Sequence, residues 1–370
     1  MSKELVWAEI NLAALEHNFQ QLASKVQNNA KICAIVKANA YGHGVIEVVK
    51  TVLKAGADYL AVARIDEAIQ IRQAGFRIPI LILGYTPLER INDLLEYDID
   101  QTAYALDYIE TINKMAHDKA VTAKIHLKID TGMGRLGIAP ETAGVFAEAV
   151  KKLSNIKIEG VFSHFAKADA VDKSYAKHQL KLFKIALDQI VAQGIEIPLQ
   201  HMANSAAVLE LPESHFNMVR FGVYLYGLWP SAEVKQELDL KPVMTLKARI
   251  THVKQMLPHQ YISYGCTFQT TVKSIIATLP IGYADGWSRM LSGKVQVLLQ
   301  DQKVPVVGRI CMDQCMIDVT KITDAKVGDE VILFGDKKQL ADDIAEVLGT
   351  INYEIVCMVS NRVPRIYLRR

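Results

Sequence analysis

The chain has 370 residues, of which 50% are apolar and 22% charged, with 42 basic and 40 acidic side chains and a formal net charge of +2. This composition excludes a disordered or fibrous chain, and the balanced charge without a dense Lys/Arg run excludes a nucleic-acid binder. Five scattered cysteines (Cys33, Cys266, Cys311, Cys315 and Cys357) argue against a disulfide framework and for a reducing compartment, and Cys311 and Cys315 lack companion ligands at zinc-site spacing. The opening LVWAEINL reads as a strand. LAALEHNFQQLASKVQ (12–27) has apolar residues at helical spacing, and KICAIVKA (31–38) is a short apolar run. A helix closed by Gly56 and a strand at 59–64 follow. The alternation continues through strands at 79–84, 99–104, 123–130, 158–165, 199–204 and 217–222, with helical segments between them. Eight strand–helix units over this length predict a (β/α)8 barrel of the TIM type, because such a barrel closes at eight.

After about residue 240 the pattern changes. KPVMTLKARITHVKQM, SIIATLPIG, KVQVLLQ, VPVVGRICMDQCMIDV and EVILFG are rich in β-branched residues and separated by turns such as LSGK and VGDE. The expected organisation is an N-terminal strand (1–11) joining a mainly antiparallel C-terminal β-domain (239–370), with the barrel at 12–238. The N-terminus lacks a basic-then-apolar signal segment. The longest apolar runs, such as 78–84, fall far short of the ~20 residues needed to span a bilayer, so a soluble, cytoplasmic protein without a membrane partner is expected.

In such a barrel the chemistry sits at the carboxyl ends of the strands. Lys37, Arg64, Leu83, Gly84, Tyr104, Lys128, Asp130, His164, Asn204, Ser205, Arg220 and Gly222 stand there. Lys37 has two readings: a strand-end lysine that snorkels to water, or a desolvated amine whose lowered pKa makes it a nucleophile toward carbonyls. The loops after the seventh and eighth strands offer a phosphate site. Ser205 is placed to cap a short helix, and Gly222 removes a Cβ where an anion would approach. A carbonyl-trapping lysine beside a phosphate site points to pyridoxal 5'-phosphate (PLP).

The motifs carry a resemblance. AIVKANAYGHG (34–44), KIDTGMGRLG (128–137), GVFSHFAKAD (160–169), HMANSAA (201–207), VRFGVYLYG (219–227), ISYGCTF (262–268), LPIGYADGWSR (279–289) and VGRICMDQCMIDV (307–319) closely resemble, in order, those of the alanine racemases. The resemblance implies that Lys37 holds PLP, while Tyr41, Ser205, Gly222, Val223 and Tyr353 bind its phosphate with Asn204 nearby. Arg220 would meet the pyridine nitrogen, Arg135 the ring hydroxyl, and His164 would lie beside the cofactor. Tyr264 would be the second catalytic base, and Met312, Asp313 and Tyr283 would line the substrate site with Arg135. Lys128, often carbamylated in that family, would either carry a carbamate or pair with Asp130, and two copies would form a head-to-tail homodimer sharing active sites. The implied reaction interconverts L- and D-alanine and supplies D-alanine for peptidoglycan. A racemase of another small amino acid such as serine, and a decarboxylase of the same plan with an acidic group at the pyridine nitrogen, are the alternatives. One departure is Phe221, where many members have proline after the arginine.

Overall fold

The computed structural model describes residues 3–369; Met1, Ser2 and Arg370, at the ends of the expected N-terminal strand and β-domain, lie outside them. Strand β1 (Val6–Asn11) runs into the helix Leu12–Ala23. Asn11 starts that helix by accepting the backbone N–H groups of Ala13 and Ala14 at 3.1 Å each. Eight parallel strands then alternate with helices: β2 (Lys31–Ile35), β3 (Tyr59–Val62), β4 (Ile80–Ile82), β5 (Asp100–Ala103), β6 (Ala123–Lys128), β7 (Ile156–Phe162), β8 (Leu199–His201) and β9 (Met218–Phe221). Among the described residues their order is β8-β7-β6-β5-β4-β3-β2-β9. The ring closes between the end strands, where the Arg220 N–H donates to the Ala203 carbonyl at 3.0 Å. These strands are nearly continuous apolar runs because one face meets the surrounding helices and the other the barrel interior.

The second sheet collects β10 (Met244–Arg249), β11 (His252–Met256), β14 (Ser274–Leu279), β15 (Gln296–Leu299), β16 (Gln302–Val307), β17 (Cys315–Asp318), β18 (Glu330–Phe334) and β19 (Arg365–Leu368), while β12 (Tyr261–Ile262) and β13 (Phe268–Gln269) form a separate ribbon. Its pairs are antiparallel except β1 with β19. β1 lies between β10 and β19, so the start of the chain is woven into the sheet made by its end. The helix Asn352–Met358 of this half returns to the mouth of the barrel. Among the described residues, no helix is long and apolar enough to cross a membrane.

The first barrel strand is shorter than its apolar run suggests. It ends at Ile35, and the chain turns sharply before and after Lys37. Phe221 is fully buried and packs edge-to-face on Phe19 at 5.5 Å, on the helix side of β9, which leaves Arg220 its inward place.

Candidate active site

Lys37 is followed by a left-handed turn. Ala38, Asn39, Ala40 and Tyr41 all have φ near +54°, a region that costs L-residues about 1–2 kcal/mol each. Surrounding groups hold it. The Glu67 carboxylate accepts the Ala38 N–H at 2.5 Å and the Ala63 N–H at 2.7 Å, and Asn39 Oδ1 accepts the Val45 N–H at 2.8 Å. Buried His43 donates from Nδ1 to the carbonyls of Tyr41 and Ala40, at 2.8 and 3.0 Å. Arg365 Nε donates to the Gly42 carbonyl at 2.9 Å. Strain held this way fixes a reactive side chain at the strand end. Lys37 itself is half-buried, and burial, then the charge of Arg135, pull its amine below its usual range.

Arg220 forms the floor of the site. Its Nη1 donates to His201 Nδ1 at 2.9 Å and to the His201 carbonyl at 3.1 Å. Its Nη2 donates to the Ser163 and Met202 carbonyls, at 2.9 and 3.0 Å, and to His164 Nδ1 at 3.1 Å. Among the described residues Nε makes no hydrogen bond, so one donor of a buried guanidinium stays free. Burial lowers this arginine to about 10, still charged at neutral pH. His164 is held neutral, chiefly by burial and then by Arg220. Because its Nδ1 accepts, its proton sits on Nε2. Lys128 is buried with its Nζ 4.7 Å from the Phe162 ring centre and without a hydrogen-bond partner. Burial and Arg220 drop its amine well below the usual lysine range. Asp130 instead accepts the N–H groups of Gly132 and Gly134, at 3.0 Å each.

A second feature faces this floor. The Gly222 N–H donates to Ser205 Oγ at 2.8 Å. A Cβ on Gly222 would stand 3.3 Å from Ser205 Oγ and 3.4 Å from Tyr41 Oη. The Tyr353 ring lies 6.2 Å from the Tyr41 ring, brought there by the helix Asn352–Met358. No protein acceptor takes the hydroxyl protons of Ser205, Tyr41 or Tyr353 among the described residues. Val223 follows Gly222 at the start of a helical turn. The expected cap is displaced by one residue: Asn204, not Ser205, caps the helix Ser205–Glu210, with Oδ1 accepting the Ala207 N–H at 3.1 Å. That frees the serine hydroxyl for other work.

Tyr264, Tyr283, Met312 and Asp313 form a separate group on the β-domain. Ser263 Oγ donates to the Arg309 carbonyl at 2.7 Å, the Tyr283 N–H to the Cys311 carbonyl at 3.1 Å, and the Ala284 N–H to the Met312 carbonyl at 3.0 Å. Tyr264 is 70% exposed and Met312 53%. Asp313 pairs with Arg362 at 2.8 Å. Among the described residues none of the four makes a hydrogen bond, ion pair or ring contact with the barrel floor. Arg64 and Tyr104, expected on the rim, take no part in the contacts of the floor. Sequence reasoning missed Phe162, His201, Glu67 and Cys357, the last close enough to Lys37 for each to shift the other's proton affinity.

The site thus combines a desolvated amine, a cradle of unspent hydroxyl donors and a buried cationic floor with one free N–H. Such a set can capture a phosphorylated aldehyde. Residues 10–230 match the family model described as alanine racemase, N-terminal domain, and residues 243–367 the one described as alanine racemase, C-terminal domain. The chain is 50% identical over 369 residues to the alanine racemase of Desulforamulus reducens, covering 99% of this chain and 100% of that one. It is 49% identical over 369 residues to alanine racemase 1 of Clostridium acetobutylicum, covering 98% and 95%. The solved alanine racemase of Clostridium difficile 630 superposes with a TM-score of 0.97 at 45% identity, covering 100% of this chain and 97% of that one.

Proposed function

The chain belongs to the alanine racemase family of isomerases, and from that premise we propose that it interconverts L- and D-alanine with PLP by a two-base mechanism, making D-alanine available to peptidoglycan synthesis. The observation that carries this reading is the convergence of Lys37, the free Nε of Arg220 and the cradle around Gly222 on one barrel mouth. The residues fit the cofactor. Ser205, Tyr41 and Tyr353 supply hydroxyl donors for a phosphate, joined by Val223 and Asn204 nearby, and the missing Cβ of Gly222 leaves it room. Lys37 supplies the amine for the aldehyde, and Arg220 a donor for the ring nitrogen. When bound, PLP withdraws electrons from the substrate α-carbon and so acidifies its proton.

Racemisation needs a proton taken from one face of that carbon and one returned to the other. Lys37 Nζ, with its lowered proton affinity, serves one face. Tyr264 Oη serves the other. Arg135 orients the substrate, and Tyr283, Met312 and Asp313 narrow its entrance. The exposure of Tyr264 and Met312 supports a head-to-tail homodimer in which these side chains enter the barrel of a second copy. Lys128 is suited to carbamylation: its neutral amine adds to carbon dioxide and loses a proton. The resulting anion lies within the fields of Arg220 and Arg135, and gives the partnerless Nζ a hydrogen-bonding role. Electron density beyond Nζ tests this. All five cysteines are free, which supports a cytoplasmic location.

Arg220, where a decarboxylase of this plan would place an acid, disfavours that alternative. The test is the conversion of L-alanine by purified, PLP-loaded protein, followed by chiral chromatography beside L-serine and the basic amino acids. D-alanine as the main product supports the proposal. Carbon dioxide release, or preference for serine, replaces it with one of the alternatives. Borohydride reduction should fix the cofactor to the peptide containing Lys37.

A further inference from the structure

Beneath Lys128 and Phe162 the barrel interior holds polar side chains that the reaction above does not use. Tyr59 on β3, Asp100 on β5, His126 on β6 and His201 on β8 are all buried, Asp100 at 2% exposure and both histidines at 0%. They form one row from Arg220 to a carboxylate. The direction of each bond follows from the one group whose protonation is fixed. A guanidinium only donates, so His201 Nδ1 accepts from Arg220 Nη1 at 2.9 Å. Neutral His201 then carries its proton on Nε2 and donates it to His126 Nδ1 at 2.9 Å. His126 carries its own on Nε2, which faces Tyr59 Oη at 3.3 Å and Asp100 Oδ2 at 3.5 Å. The Tyr59 hydroxyl donates to Asp100. Every proton of the row points away from Arg220 and toward the carboxylate.

The surroundings hold these rings in place. The pairing of β6 with β7 shifts register between Ile125 and His126, which re-aims the histidine as a bulge does. Opposite it stands Gly160, where a Cβ would come within 2.5 Å of His126 Nδ1. The Phe162 ring lies parallel to His201, with centres 4.8 Å apart and planes 1° from parallel. Burial, and then Arg220, keep His201 neutral.

We propose that Asp100, with Tyr59 and His126, is a positioning residue: as the accepting end of the row it matches the His201 tautomer that Arg220 requires, so that His201 holds Arg220 with Nη1 and Nη2 committed to the barrel wall and Nε left for the cofactor ring. An amide in place of the carboxylate can donate to His126 Nε2. His126 then donates from Nδ1 to His201 Nε2, and His201 carries its proton on Nδ1. That N–H faces the guanidinium, donor against donor, and Arg220 must move. The tautomer assignment stands on geometry alone, whereas its effect on turnover rests on the function proposed above.

The test is nitrogen NMR of PLP-loaded protein labelled with 15N-histidine, with signals assigned by their loss in His126→Asn and His201→Asn. In the unsubstituted protein both rings are expected neutral with the proton on Nε2. In Asp100→Asn the His201 signals should shift toward the Nδ1–H form and the cofactor absorbance band should move. There kcat should fall roughly tenfold while KM for alanine stays within about twofold, the signature of one lost charged hydrogen bond behind the ring. A proton on His201 Nδ1 in the unsubstituted protein overturns the proposal. So does an Asp100→Asn protein whose His201 signals, absorbance band and kcat are unchanged. If Asp100→Asn does not fold, the tautomers of the unsubstituted protein decide. Correct tautomers in a protein that does not racemise alanine would sink the function and leave the assignment standing.

Discussion

Arg220→Lys keeps the charge at the barrel floor and removes the geometry. The arginine reaches five acceptors with the four N–H groups of its two terminal nitrogens, one of those on Nη2 being shared: the His201, Ser163 and Met202 carbonyls and two imidazole nitrogens. An ammonium has three donors on one atom, so at least two of these bonds are lost. The His201 carbonyl keeps the Ser163 N–H as a partner at 3.2 Å, so the loss there is mild. The other four acceptors have no second donor among the described residues, and at least one is left buried and unpaired. An orphaned buried acceptor costs about 1–3 kcal/mol, and a second lost bond to a charged donor about 1.5–3 kcal/mol more. The expected destabilisation is therefore about 2.5–6 kcal/mol, large against the whole stability of a folded protein. Urea unfolding of both proteins at one PLP concentration measures it. A loss below about 1 kcal/mol would refute the view that the arginine is fixed by its wall bonds rather than by its charge.

Gly222→Ala should put a methyl group into the cradle between Ser205 Oγ and Tyr41 Oη, weakening PLP about tenfold or more by equilibrium dialysis; unchanged affinity would move the phosphate elsewhere. The lowered proton affinity of Lys37 means that more of its amine is free at a given pH. The rate at which cofactor-free protein regains the PLP absorbance should thus rise with pH to a plateau, with a midpoint below the ordinary lysine value of about 10.5. A midpoint at that value would show the amine to be solvated. His43 is buried and lowered to about 4 against an unfolded value near 6.5, and His164 and His201 shift in the same direction. The unfolded chain therefore binds protons first as the pH falls below 6.5. Stability from each should be lost at about 1.4 kcal/mol per pH unit down toward pH 4. Urea midpoints across that window check the slope, and a flat profile contradicts the burial of neutral histidines.

The barrel was legible because its strands are apolar runs separated by amphipathic helices with glycine stops, and those periods do not depend on distant contacts. The ends of those strands were less so. Nothing in AIVKANAY announces that four consecutive residues after Lys37 take positive φ; that conformation is imposed from outside, by Glu67, His43 and Arg365. Asn204 and Ser205 are both good caps, and only the register of one hydrogen bond decides between them. The buried row had a readable signal. In KIHLKID the polar residues alternate with Ile125, Leu127 and Ile129, and in a barrel strand covered by helices such a stripe belongs inside. Reading only the strand's last residues found Lys128 and passed over His126. Tyr264 was named only through the resemblance of ISYGCTF, because a tyrosine in a Ser-Tyr-Gly turn carries no signal of catalysis by itself.

In the proposed reaction two groups on opposite faces exchange the α-proton of alanine. PLP-loaded protein incubated with L-alanine in deuterated water tests it most directly, with enantiomers and α-deuterium followed together. D-alanine is expected to appear carrying deuterium, Lys37→Ala to abolish both, and Tyr264→Phe to suppress D-alanine. Full racemisation in Tyr264→Phe, or deuterium-free D-alanine after many turnovers, would contradict it.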